Sequence, residues 1–99
     1  MIRHIVFFSV PDRDNLDVVF DGLSILKSIP HSNVLEVIRN TKVDPWSDEI
    51  DIVVYGEFDD QQALADYKSH PLYQESIARV RHLRELRISA DVESPIGSP

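Results

Sequence analysis

The spacing of hydrophobic positions changes along the chain, and each change marks an element. Residues 2–10, IRHIVFFSV, are dense in β-branched and aromatic types and stop at PDRD, which predicts a strand ending in a turn. Alternation places Ile2, Val6, Phe8 and Val10 on one face, with His4 among them, and Ile5 and Phe7 on the other. Beyond Asp12 or Asp14 as N-cap, Leu16, Val19, Phe20, Leu23, Leu26 and Ile29 recur at three- and four-residue steps, an amphipathic helix that Pro30 ends. NVLEVIRNT, residues 33–41, alternates weakly, as a strand towards a sheet edge does. The polar KVDPWSDE that follows is a loop.

IDIVVYGEF, residues 50–58, is the clearest strand, with Ile50, Ile52, Val54 and Phe58 on one face and Val53 and Tyr55 on the other. Asp59 or Asp60 then caps a short helix, QQALADYKS. Pro71 has no backbone donor and its ring collides with the preceding turn, so that helix stops before it. A new helix, PLYQESIARVRHLR, opens with the proline at the position helices tolerate best. Its apolar stripe is Tyr73, Ile77 and Val80 with Leu83 nearby, and Glu75 pairs with Arg79 on the outside. Arg79, Arg81 and Arg84 gather near its C-terminus, where the helix dipole favours cations, a reading that calls for no ligand. A last strand, ELRISADVE, alternates Leu86, Ile88, Ala90 and Val92. The order strand, helix, strand, strand, helix pair, strand is that of a ferredoxin-like α+β domain: a four-stranded antiparallel sheet with its helices on one face. We take 1–93 as this single domain and 94–99, rich in proline, glycine and serine, as a flexible tail.

That architecture leaves one sheet face uncovered, yet the first and third strands are apolar on both sides and no further element remains to cover them. A second copy of the chain, joined through that sheet face, is the expected cover. Charge narrows the other partners. With 17 acidic against 10 basic side chains the net charge is −7, so the long-range field repels nucleic-acid phosphates and anionic membrane surfaces, and neither is expected as a partner. The absence of cysteine removes disulfide scaffolds, thiolate zinc sites and cysteine nucleophiles. Together with an apolar N-terminal run too short for a signal core or a membrane span, it points to a cytoplasmic protein.

Four segments, IRHIVFF, GEFDD, ALADYKSHPLY and LRELRISADVE, resemble in order the stress-responsive A/B barrel (Dabb) family, over nearly the whole chain. Tyr67, His70 and Pro71 after a strand ending in Phe-Asp are the most distinctive part. The resemblance implies a homodimer whose two four-stranded sheets face each other as a dimeric α+β barrel. In the family's plant polyketide cyclases a DYxxHPxH motif promotes an intramolecular aldol closure. Its tyrosine falls on Tyr67 and its first histidine on His70, the candidate catalytic pair, while the histidine that serves as base falls on Tyr73. A phenol near pKa ~10 is a poor substitute for an imidazole near ~6.5 in accepting a proton at neutral pH. Two further pocket positions of the family match His4 and Asp91. The candidate ligand pocket is thus His4, Tyr67, His70, Tyr73 and Asp91.

Each of these residues also has a plainer role. His4 suits a hydrogen-bonded structural imidazole, His70 a cap at the helix break, and Tyr67 and Tyr73 core packing. Asp91 falls opposite Leu86, Ile88 and Ala90, and alternation alone does not say which face of that strand meets the helices. No paired ligand spacing suggests a metal, no glycine-rich phosphate loop exists, and no cofactor is expected. His31 and His82 are given no chemistry. Two functions follow from the resemblance, beside a purely structural or stress-related homodimer that the family's name suggests. One is a Dabb-type protein binding a small apolar carbonyl or phenolic compound between helices and sheet. The alternative is an enzyme, either a polyketide-cyclase-like lyase or a cofactor-free monooxygenase of the dimeric α+β barrel type.

Overall fold

A computed structural model describes residues 1–95. Its strands are β1 (Ile2–Phe8), β2 (Val34–Arg39), β3 (Ile52–Phe58) and β4 (Arg87–Glu93), and its helices α1 (Leu16–Ser24), α2 (Gln61–Ser69) and α3 (Pro71–Val80). The strands form one antiparallel sheet in the order β2-β3-β1-β4. This is the expected ferredoxin-like α+β architecture, with β2 at an edge. Of the tail 94–99, residues 96–99 lie outside the described residues, while the Ser94 N–H donates to the Met1 carbonyl at 3.0 Å.

Strand register sorts the side chains into rows. On the helix side Val37, Val54, Val6 and Ser89 follow one another across the sheet, and the next row is Leu35, Gly56, His4 and Asp91. β2, β3 and β1 are therefore apolar beneath the helices, and Ile2, Val6, Phe8, Ile52, Val54 and Phe58 are all buried there. β4 is inverted. It turns Arg87, Ser89, Asp91 and Glu93 to the helix side and Ile88, Ala90 and Val92 to the open side. The face that alternation left open for Asp91 is thus settled by its register with His4.

Gly56 is required by close approach, because a Cβ there would come within 2.8 Å of the Phe58 ring and 3.1 Å of Leu35. A side chain at this position would occupy the row beside His4.

Three elements depart from the sequence-based expectation. α1 stops at Ser24 and tightens into a 3₁₀ turn over Ile25–Ser28. The Ser24 hydroxyl donates back to the Phe20 carbonyl at 2.8 Å, and the tighter winding still buries Leu26 and Ile29. α3 ends at Val80 rather than running to residue 84. Val80 carbonyl accepts from both Leu83 and Arg84, and the chain then turns back so that Ser9 can hold the Glu85 and Leu86 amides at the start of β4. β3 begins at Ile52, and Ile50 stays outside the strand, half-buried. In its place Asp51 turns inward and is buried, hydrogen-bonded to the Val10 amide and ion-paired with Arg13 and Lys42.

At the helix break the chain does what Pro71 dictates. His70, at φ −67° and ψ 141°, is extended backbone that ends α2 and starts α3.

Candidate functional site

Between the sheet and the helices lies a cavity of about 390 Å³. β1 and β3 supply its floor through His4, Val6, Phe8 and Val54, and α1, α2 and α3 its walls, including Leu23, Tyr67, Tyr73 and Val80. The volume suits a small organic molecule, and the lining is mostly apolar with a few polar groups, as small-molecule sites are.

Tyr67 and Leu64, one turn apart on α2, bury the same helix face. The Tyr67 ring packs against Phe58 at 4.9 Å and Tyr73 at 5.3 Å between centroids. The residue is fully buried, yet its hydroxyl has no hydrogen-bond partner among the described residues. Burial pushes its phenol well above the ordinary value, with Tyr73 adding to the shift, so Tyr67 stays protonated and available as a donor.

His4 is buried on the cavity floor, edge-on to Phe58 and Tyr67. Its Nδ1 is hydrogen-bonded to Asp91 Oδ1, and Lys68 Nζ stands 3.7 Å from the other carboxylate oxygen. Burial lowers the His4 pKa, and the Asp91 carboxylate offsets only part of that, so the imidazole is neutral at neutral pH. Burial would push the Asp91 carboxyl up, but His4 and Lys68 outweigh it and hold it below the usual carboxylate range. A neutral ring that donates Nδ1–H to a carboxylate keeps Nε2 as an acceptor.

The five expected pocket residues therefore separate. His4, Tyr67 and Tyr73 line one cavity, and Asp91 sits behind His4 as its partner. His70 is elsewhere: its Nδ1 accepts from the Leu72 amide at 3.1 Å, capping α3, and its ring faces His31 at 6.0 Å. Sequence reasoning did not anticipate Lys68 beside Asp91, nor the role of position 87. Arg81, Arg84 and Arg87 line the cavity, whereas Arg79 points away to Glu75 at 3.0 Å. The signal was a three-residue spacing continuing past the helix end to Arg87 on β4, where a dipole argument no longer applies. Among the described residues no group of three or more His, Cys, Asp or Glu side chains could hold a metal ion, and no helix is long and apolar enough to cross a membrane.

The sequence profile of the stress responsive A/B barrel domain matches residues 2–94. Among solved structures, a Dabb family protein with a ferredoxin-like fold from Mesorhizobium loti is 25% identical, with a TM-score of 0.74 and 97% of each chain covered. A dimeric ferredoxin-like protein of unknown function from Thermobifida fusca is 22% identical, with a TM-score of 0.77, covering 92% of this chain and 88% of that one. A dimeric protein of unknown function and ferredoxin-like fold from Bacteroides fragilis is 24% identical, with a TM-score of 0.76 over 94% and 95% of the two chains. No protein of curated function matches the sequence.

Proposed function

The chain belongs to the stress-responsive A/B barrel family, and from that premise we propose that it is a homodimer in which each subunit binds a small apolar carbonyl or phenolic compound in its helix–sheet cavity. The observation that carries the binding reading is the Tyr67 hydroxyl. A buried hydroxyl without a partner costs about 1–3 kcal/mol, and this one belongs to a residue of the cavity wall. An oxygen acceptor on an otherwise apolar ligand would satisfy it. Titration with para-butylacetophenone tests this: the ketone binds, and Tyr67→Phe weakens binding about tenfold, the worth of one hydrogen bond. Absence of binding, or equal binding by the Phe variant, refutes it.

The dimer reading rests on the open sheet face. Ile38, Val53, Phe7 and Ile88 form one apolar row across all four strands, and Phe7, Ile38, Ile88 and Val92 are exposed. β4 turns its polar side inward and its apolar side out, an inversion that supports a second sheet packing on this face. Sedimentation should give about twice the monomer mass, and Phe7→Asp should yield monomer. A soluble monomer of the unmodified chain would remove the reading. A cytoplasmic location is part of the same proposal, in keeping with a chain free of cysteine.

One observation favours a second reading, a cyclase-like lyase. His4, oriented by Asp91 and neutral, stands beside the protonated Tyr67 in the cavity, so a base and a carbonyl-polarising donor face one space. Tyr73 occupies the position where the resembling cyclases carry a histidine. The unmodified protein should turn over linear polyketide thioesters little or not at all. Tyr73→His should raise the rate, and Tyr67→Phe in that background should lower it. A Tyr73→His variant with an intact cavity and no gain in rate removes this reading. The monooxygenase alternative draws on fold likeness alone.

A further inference from the structure

Arg81, Arg84 and Arg87 all reach the cavity, and no carboxylate of the described residues lies within ion-pair distance of any of them. Acidic partners are not scarce: the chain carries 17 acidic side chains against 10 basic ones. Arg13, Arg39 and Arg79 have each found one, in Asp51, Asp17 and Glu75. The cavity trio has no such partner among the described residues, and its three members line one space. Burial first, and after it the charges of Arg87 and Arg81, pulls the Arg84 guanidinium below its ordinary value. Among the described residues the trio's one side-chain hydrogen bond is weak, from Arg87 Nη2 to the Tyr73 hydroxyl at 3.4 Å.

The helix dipole accounts for only part of this arrangement. α3 ends at Val80, whose carbonyl still accepts from the Arg84 amide, so the dipole favours Arg81 and Arg84, but it does not explain Arg87, which lies on β4. Nor does the trio serve the long-range field, because a net charge of −7 repels anions everywhere else. What remains is a local positive rim on a mostly apolar cavity, with Tyr67 as a neutral donor in the wall.

We propose that the ligand of this cavity is an anion: a small molecule with an apolar body and a carboxylate head, the body against Val6, Leu23 and Val80 and the head on the Arg81, Arg84 and Arg87 guanidinium groups. Planar guanidinium forks match a carboxylate in geometry as well as charge. The inference rests on the binding reading above and narrows it from apolar oxygen compounds in general to apolar acids.

Calorimetric titration with three probes separates the two. para-Butylacetophenone reports the cavity, para-butylbenzoate adds the charge to the same body, and benzoate keeps the charge without the butyl chain. para-Butylbenzoate should bind at least about tenfold more tightly than the ketone and than benzoate, with the advantage over the ketone falling at high salt. In an Arg84→Gln, Arg87→Gln double variant, checked for an unchanged thermal transition, the advantage of the acid over the ketone should disappear; an advantage retained in that variant overturns the assignment. Equal binding of acid and ketone by the unmodified protein overturns the anion assignment and leaves the cavity reading standing. Binding of benzoate as tight as that of para-butylbenzoate overturns it too, as a surface ion pair only. Failure of all three probes to bind overturns both.

Discussion

Two aspartates are held against β1, and they are treated differently. Asp51, just beyond the Phe8 end, has a side chain only 4% exposed, and its oxygens take a hydrogen bond from the Val10 amide at 2.7 Å and ion pairs from Arg13 at 2.6 Å and Lys42 at 2.7 Å. Lys42 even adopts a left-handed backbone, φ 58°, where it makes that contact. Asp91, in register with His4, has a side chain 33% exposed, bonds one imidazole nitrogen and leaves Lys68 at a loose 3.7 Å. Satisfied polar groups rigidify a fold, whereas groups with spare capacity beside a cavity are available to a ligand. The Asp51 corner ties the β1–α1 and β2–β3 loops together. The Asp91 row, with its neutral imidazole and the unpartnered Tyr67 hydroxyl nearby, is where the molecule keeps unspent hydrogen bonds.

Removing the Asp51 carboxylate gives the largest expected effect. Asp51→Ala orphans the buried Val10 amide and frees two cations, and it should cost about 2–3 kcal/mol, a fall in Tm of roughly 10–20 °C at fixed protein concentration. Burial pushes this carboxyl up, but the hydrogen bonds from Lys42, Val10 and Arg13 outweigh it and hold the folded pKa below the ordinary value. A depressed carboxyl stabilises the fold above the unfolded value, about pH 4, and loses that contribution as pH falls through the folded value beneath it. Acid unfolding of Asp51→Ala should lack this share of the slope, while binding of para-butylacetophenone stays unchanged. A loss of affinity at the cavity would erase the distinction between the two corners.

The two corners were also unequally legible. The order of elements, the helix break at Pro71 and the two-sided character of β1 and β3 follow from periodicity and proline stereochemistry, which are local properties. Tyr67, His4 and Asp91 came from a resemblance rather than from spacing, because they lie on three different elements and only register brings them near one another. Asp51 was missed for the same reason: alternation gave the inward place to Ile50, and the partners that bury Asp51 come from positions 10, 13 and 42. Periodicity extends α3 through residue 84, and a helix dipole then covers Arg79, Arg81 and Arg84 without reference to a cavity. Arg84 remains bonded to the Val80 carbonyl at the helix end, but Arg87 comes from β4, and both line the cavity.

His70 provides a medium-sized test of where the cavity ends. Its imidazole accepts from the Leu72 amide at the start of α3, so His70→Ala should cost about 1 kcal/mol, the usual value of a lost N-cap. Asparagine, a good cap, should restore most of it. Ligand affinity should not move in either variant. If His70→Ala weakens binding by more than its loss of stability explains, His70 belongs with Tyr67 and His4 after all.

The smallest effect is the most discriminating, because it has opposite signs in two measurements. Tyr67 buries a hydroxyl that no described residue satisfies, a standing cost in the free protein. Tyr67→Phe keeps the ring that packs between Phe58 and Tyr73 and removes only the oxygen. The free protein should therefore become more stable, by about 1 kcal/mol or less, while affinity for para-butylacetophenone falls. A tyrosine kept for packing with a satisfied hydroxyl behaves otherwise, since its Phe variant loses stability and leaves binding alone. Thermal unfolding of both proteins, with and without the ketone, reads the two signs together: the Phe variant should start higher and gain less on addition of ligand. A variant that starts lower and gains equally would place Tyr67 with Asp51, among the groups that hold the fold and do nothing further.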